Sequence, residues 1–163
     1  VVDPTAGRSI ASGPAGLWLP VAAWAALIFY LSSTGEPPRP EPVAGLPVWP
    51  QAAHFGLYFV LGALLYRGFR GAGRGVRGAG CRVQDAARCG EGGGTPAAGG
   101  GRLMLWAFSL AILAGALYAV SDEVHQSLVP RRQADIWDWL VDLAGLLAGA
   151  LAALAATRRR DKV

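Results

Sequence analysis

The chain has 163 residues, 53% hydrophobic and only 16% charged, with a formal net charge of +4. A soluble domain carries about a quarter charged residues, so this composition points to lipid. The basic balance does not indicate nucleic acid, because the cations flank apolar runs instead of lining a polar domain. The length fits a single domain over residues 1–163.

About 20 apolar residues cross a bilayer as a helix. The chain has four such runs, which predict spans at about 14–33, 51–67, 103–121 and 136–157. The expected fold class is therefore all-α: a polytopic membrane protein with four transmembrane helices in a compact bundle. The first run has only Arg8 before it and a weak cleavage sequence, Ser32-Ser33-Thr34-Gly35, after it, so a retained helix is expected over a cleaved leader. Trp18, Trp49, Trp106, Trp137 and Trp139 lie near the ends of the runs, where amphipathic rings favour the membrane interface.

Four spans place the N-terminal arm, residues 67–102 and the C-terminal tail on one side. These segments hold twelve of the fifteen basic residues, and Arg39, Arg131 and Arg132 remain for the other side. Cytoplasmic loops are the ones rich in Arg and Lys, so the expected location is the cell membrane, multi-pass, with both termini cytoplasmic. The tail from Arg158 to Lys162 then anchors the topology and attracts anionic lipid. Residues 68–102 contain thirteen glycines and few large apolar side chains, and so predict a flexible cytoplasmic loop. Cys81 and Cys89 lie in that loop without further ligands, which gives neither a disulfide framework nor a zinc site.

Both histidines and most acids fall at the opposite, extracytoplasmic end. Asp135, Asp138 and Asp142 lie within roughly a 60° arc of one helix face, and Gly145 and Gly149 extend the stripe. Small residues at this spacing let helices approach closely, so Gly115, Gly145 and Gly149 are expected in helix packing. On the third run Gly115, Tyr118, Asp122 and His125 share a face, and His54 and Tyr58 stand one turn apart on the second. These patterns predict a polar pocket built from His54, Tyr58, Asp122, Glu123, His125, Gln126, Arg132, Asp135, Asp138 and Asp142. An acid in the bilayer needs a partner or a wet cavity, and Arg132 is the expected bidentate partner of Asp142.

Other readings of the same residues stay open. The acids with Arg132 could be a structural lock between helices, and the histidines could be interfacial hydrogen-bonding groups. His54, His125, Asp122 and Asp138 offer metal-type donors, but their spacing matches no metal motif; neither metal nor cofactor is expected. Ser32-Ser33 reads as a helix C-terminal cap; a serine nucleophile would need a base, with His54 the near candidate.

A Trp-rich first helix, Trp24 through Phe29, ends in Ser32-Ser33; His54-Phe55-Gly56-Leu57-Tyr58 opens the second. Asp122-Glu123-Val124-His125-Gln126 follows the third run, and Pro130-Arg131-Arg132 leads to Asp138, Asp142, Gly145 and Gly149. This combination resembles the VanZ-like membrane proteins, a family named for a protein linked to resistance against the glycopeptide teicoplanin. The resemblance covers the four runs and the loops at the polar end. Two positions depart from the family pattern: Ala53 stands where a lysine often precedes the histidine, and Arg131 where the turn has glycine. The resemblance implies an envelope protein whose polar pocket takes a lipid-linked or cell-wall-related ligand and contributes to glycopeptide resistance. Membrane lipids are the other expected partners, and nucleic acid is not one. The alternatives are an intramembrane enzyme acting on a lipid headgroup, with His54, Asp122, Glu123 and His125 as acid–base groups and Arg132 on a phosphate, and a structural or assembly protein.

Overall fold

A computed structural model describes residues 14–34, 49–83, 96–130 and 135–161. They form α1 (Pro14–Ser33), α2 (Trp49–Val83), α3 (Pro96–Ser127) and α4 (Ile136–Arg160). Among the described residues there is no β-strand. Each helix contains a stretch of 19 to 28 residues long and apolar enough to cross a membrane, so the chain is an all-α, multi-pass membrane protein.

The interior is a seam of residues at helical spacing, and the rest of each apolar surface is left for lipid. On α4 the buried set is Asp142, Gly145, Leu146, Gly149 and Ala150, an i, i+3, i+4, i+7, i+8 stripe. Tyr58, Leu61 and Leu65 of α2 and Ala107, Ala111 and Ala119 of α3 complete the core with Ile28 of α1. Leu19, Phe29, Leu105, Leu117 and Leu151 point outward, as expected where hydrocarbon is the solvent. The tightest pair is α2 with α4.

Polar side chains fix α1 through carbonyls. Pro20 interrupts α1 and has no N–H to give to the Gly16 carbonyl one turn back. Arg67 supplies the missing donor, with Nη2 2.8 Å from Gly16 O. Trp24 Nε1 donates to Leu57 O at 2.9 Å, and the Tyr118 hydroxyl donates to Ala25 O at 2.6 Å.

The helices are longer than the apolar runs predict. α2 continues to Val83 and α3 begins at Pro96, so most of the expected flexible loop 68–102 is helical; residues 84–95 lie outside the described residues. Packing overrides the low helix propensity of glycine here. Gly71 lies against Leu17 and Gly73 against Leu103, while Trp18 meets Phe69 edge to face at 5.1 Å. Arg70 Nη2 pairs with Asp161 Oδ2 at 2.9 Å, and Arg74 Nη2 lies 3.6 Å from the other oxygen. Because these partners are partly exposed, Asp161→Asn is expected to change stability by less than about 1 kcal/mol. Melting of the two proteins in the same detergent checks this.

At the other end α3 runs through Asp122 and His125 to Ser127, a segment expected as loop. Asp122, Glu123, His125 and Gln126 therefore have fixed helical directions.

Candidate functional site

The described residues separate by charge along the bundle. Arg67, Arg70, Arg74, Arg102 and Arg158 to Arg160 lie toward the ends where α2 leaves and α3 enters, while Asp122, Glu123, Asp135, Asp138 and Asp142 gather at the opposite end. Three polar groupings form there.

The first joins α1 to α3. Asp122 and Gln126 are one turn apart and face the same way. Gln126 Nε2 donates to Asp122 Oδ2 at 2.9 Å, and the Ser32 hydroxyl donates to the same oxygen at 3.0 Å. Gln126 Nε2 also lies 3.4 Å from Ser32 Oγ. All three side chains are buried. Beside them the Ser33 hydroxyl donates to Phe29 O at 2.7 Å and lies 2.9 Å from His125 Nε2. A serine has one hydroxyl proton. With that proton on the Phe29 carbonyl, the imidazole N–H is the donor to Ser33. Stacking on Phe29, with centroids 4.4 Å apart, holds the ring. Ser33 thus caps the last turn of α1 and also binds across to α3.

The second grouping joins α2 to α4. His54 Nδ1 lies 3.0 Å from Asp142 Oδ1. The carboxylate is fully buried, and the imidazole is 14% exposed. His54 is thus a partner of Asp142; Arg132, the expected partner, lies outside the described residues. His54 is the base expected near the serines, yet its bond is to Asp142. The buried Tyr58 hydroxyl stands against Asp122 and within the field of Asp142, so it connects the two groupings. Among the described residues each carboxylate keeps one oxygen, Asp122 Oδ1 and Asp142 Oδ2, buried without a hydrogen-bond partner of normal length.

The third grouping is a groove of about 440 Å³ between α3 and α4, lined by Val120, Glu123, Val124, Ser127, Asp135, Ile136 and Trp139. Asp135 departs from the helical stripe expected with Asp138 and Asp142. It is the N-cap of α4, with extended backbone (φ −127°, ψ 123°), and its carboxylate accepts from Trp137 N at 2.9 Å. Its own N–H donates to Glu123 Oε2 at 3.0 Å. An extended cap residue that binds the second amide is the usual way a helix start satisfies its free donors.

The nine predicted pocket residues that the structure describes are thus divided. Asp122 and Gln126 share one network, and His54 and Asp142 form a pair, with Tyr58 between. His125 turns to Ser33, and Glu123 and Asp135 line the groove. Asp138 is half-buried at the start of α4, within electrostatic reach of His54 and Glu123. Gly145 and Gly149 lie against the Phe55 and Phe59 carbonyls, and Gly115 against Leu146. The place of Trp139 in the groove and the cross-helix roles of Ser32 and Ser33 are absent from the sequence prediction. Among the described residues no three His, Cys, Asp or Glu side chains group closely enough to hold a metal ion.

The family model described as VanZ/LLP1 matches residues 17–157, from the first helix into the last. No curated protein and no solved structure matches the chain.

Proposed function

The chain belongs to the VanZ/LLP1 family, and from that premise we propose that it is a bacterial envelope protein whose acidic end lies outside the cytoplasm and binds a lipid-linked or cell-wall-related ligand. In this reading both termini are cytoplasmic. The charge separation along the bundle supports that orientation, because arginine-rich ends stay on the cytoplasmic side.

The observation that carries the ligand reading is the pair of half-satisfied carboxylates. A carboxylate inside a bilayer costs on the order of 2.5–3.5 kcal/mol or more. A network kept only for packing would satisfy both oxygens of each acid, since an unmet buried acceptor adds about 1–3 kcal/mol. Among the described residues Asp122 Oδ1 and Asp142 Oδ2 are instead buried without a hydrogen-bond partner of normal length, although the Tyr58 hydroxyl stands against Asp122. Under-satisfied acids gathered with Tyr58 at this end suit a ligand rich in hydroxyl or N–H donors, which describes glycan and peptide parts of cell-wall material. The structural alternative is favoured by the close α2–α4 packing. A serine-dependent lipid enzyme is disfavoured because the Ser33 proton is engaged by Phe29.

The test is teicoplanin susceptibility of a host that carries no chain, the wild type, or Asp142→Asn. Membrane fractions are blotted to equalise the amount of protein. The expected result is higher tolerance with the wild type and loss of that gain with Asp142→Asn. Equal sensitivity of the empty and wild-type hosts would remove the resistance role. Full tolerance with Asp142→Asn would return the network to a packing role.

A further inference from the structure

The arginine-rich end carries an inference separate from the reading above, which concerns the opposite end. Four spans gather the N-terminal arm, residues 67–102 and the C-terminal tail there. These segments hold twelve basic residues against four acids, Asp3, Asp85, Glu91 and Asp161. Asp161 is the one acid of this end among the described residues, and two guanidiniums share it. Arg70 and Arg74 stand one turn apart on α2. Arg70 Nη2 lies 2.9 Å from Asp161 Oδ2, and Arg74 Nη2 lies 3.6 Å from Oδ1. The buried Tyr66 hydroxyl lies within the field of Arg70, Arg158 and Asp161, so Arg158 belongs to the same cluster. The fork of a guanidinium fits carboxylate and phosphate alike. The Asp161 side chain thus occupies a position that suits the two free oxygens of a phosphodiester.

Three features make Asp161 a replaceable occupant. Its backbone, not its carboxylate, closes α4: Asp161 N donates to Thr157 O at 3.1 Å. Asp161 is the C-cap of α4, where the helix dipole opposes an acid. The side chains of Asp161 and Arg74 are exposed, and an ion pair so exposed adds little to stability. The depth of the cluster favours a lipid over a free ion. The membrane-length stretch of α2 is Pro50–Gly75 and that of α4 is Ile136–Arg160. Arg70, Arg74 and Arg158 therefore lie in the last two turns of these stretches, at the level of the headgroups.

We propose that Arg70 and Arg74 form a site for the phosphate of an anionic membrane lipid, and that the Asp161 carboxylate holds this site closed until the lipid displaces it. The full chain in detergent is mixed with equimolar phosphatidylglycerol, phosphatidylethanolamine and phosphatidylcholine of identical acyl chains, and lipid adducts are counted by native mass spectrometry. Phosphatidylglycerol is expected to dominate. Asp161→Asn removes the internal competitor and is expected to raise its adducts about two- to fivefold, the worth of an exposed ion pair. Misfolding does not produce such a gain. Arg70→Gln with Arg74→Gln is expected to lower the adducts about tenfold and to abolish the gain from Asp161→Asn. Arg159→Gln with Arg160→Gln removes the same charge from the end of α4 and is expected to lower them less than about twofold. Equal losses in the two double variants would reveal attraction to diffuse charge and overturn the site. No gain in Asp161→Asn, or a gain that persists without Arg70 and Arg74, would overturn the displacement. Glycerol phosphate, the free head, added at the lipid concentration is expected to displace no adduct. Its displacement of phosphatidylglycerol would assign the pair to a soluble phosphate and overturn the lipid reading.

Discussion

Gly149→Ala is expected to destabilise the protein, although alanine is the better helix former. In an open helix the change gains about 0.8–1 kcal/mol. At Gly149 a Cβ would overlap the Phe59 carbonyl oxygen, and at Gly145 it would overlap that of Phe55. Gly62 meets the same obstacle from the other side, in the carbonyl of Leu146. A backbone carbonyl cannot rotate away as a side-chain end can, so α2 and α4 must separate. Overpacking of this kind costs about 1–3 kcal/mol, and here it also loosens the tightest helix pair in the bundle. Packing therefore outweighs propensity. Gly56 is the internal control, because a Cβ there meets nothing within 4 Å. Gly56→Ala is expected to gain about 0.5–1 kcal/mol. Melting of the two variants in one detergent should move in opposite directions. A Gly149→Ala protein that melts at or above the wild type would show that the helices are not held by this approach.

That contact was legible because the helical period alone puts Asp142, Gly145 and Gly149 on one stripe. The four spans were legible for a similar reason, since uncharged runs of bilayer length are a local property of the chain. Helix ends were not. The glycines from Gly68 onward suggest a linker when they are weighed by propensity. Their neighbours Leu17 and Leu103, and the Arg70–Asp161 pair, come from distant parts of the chain, and they decide the matter. Partner choice was also hidden. Charge alone points Asp142 to Arg132 and is silent on His54, which stands on the helix that packs closest to α4. Ser32 and Ser33 read as an end cap, and Ser33 does bind the Phe29 carbonyl. Their bonds to Asp122 and His125 depend on α1 lying against α3, which no spacing within α1 records. The groove beside Trp139 is a matter of shape between two helices and leaves no local pattern at all.

His54→Ala is expected to cost more than Asp142→Ala, even though the two side chains make the same bond. Breaking a buried pair typically costs about 3–5 kcal/mol, mostly from the charge left behind. Without His54, the fully buried Asp142 carboxylate would lose its only hydrogen bond among the described residues. Without Asp142, the remaining group is an imidazole that can be neutral and that retains 14% exposure toward the polar end. Its cost is nearer the about 1–3 kcal/mol of an unmet polar group. His54→Ala should therefore fall at the upper end of the range and Asp142→Ala well below it. The double variant should resemble Asp142→Ala, because removing the acid removes the reason the histidine was needed. A double-mutant cycle, read from unfolding in detergent, isolates that coupling. Additive losses, or an Asp142→Ala protein weaker than His54→Ala, would mean that the buried carboxylate is not the group the pair exists to accommodate. If the cycle does show strong coupling, retaining an acid at this depth demands an explanation, because the double variant would keep much of the fold without it. The ligand reading supplies one: the acid that His54 fixes belongs to the polar end proposed to meet the ligand.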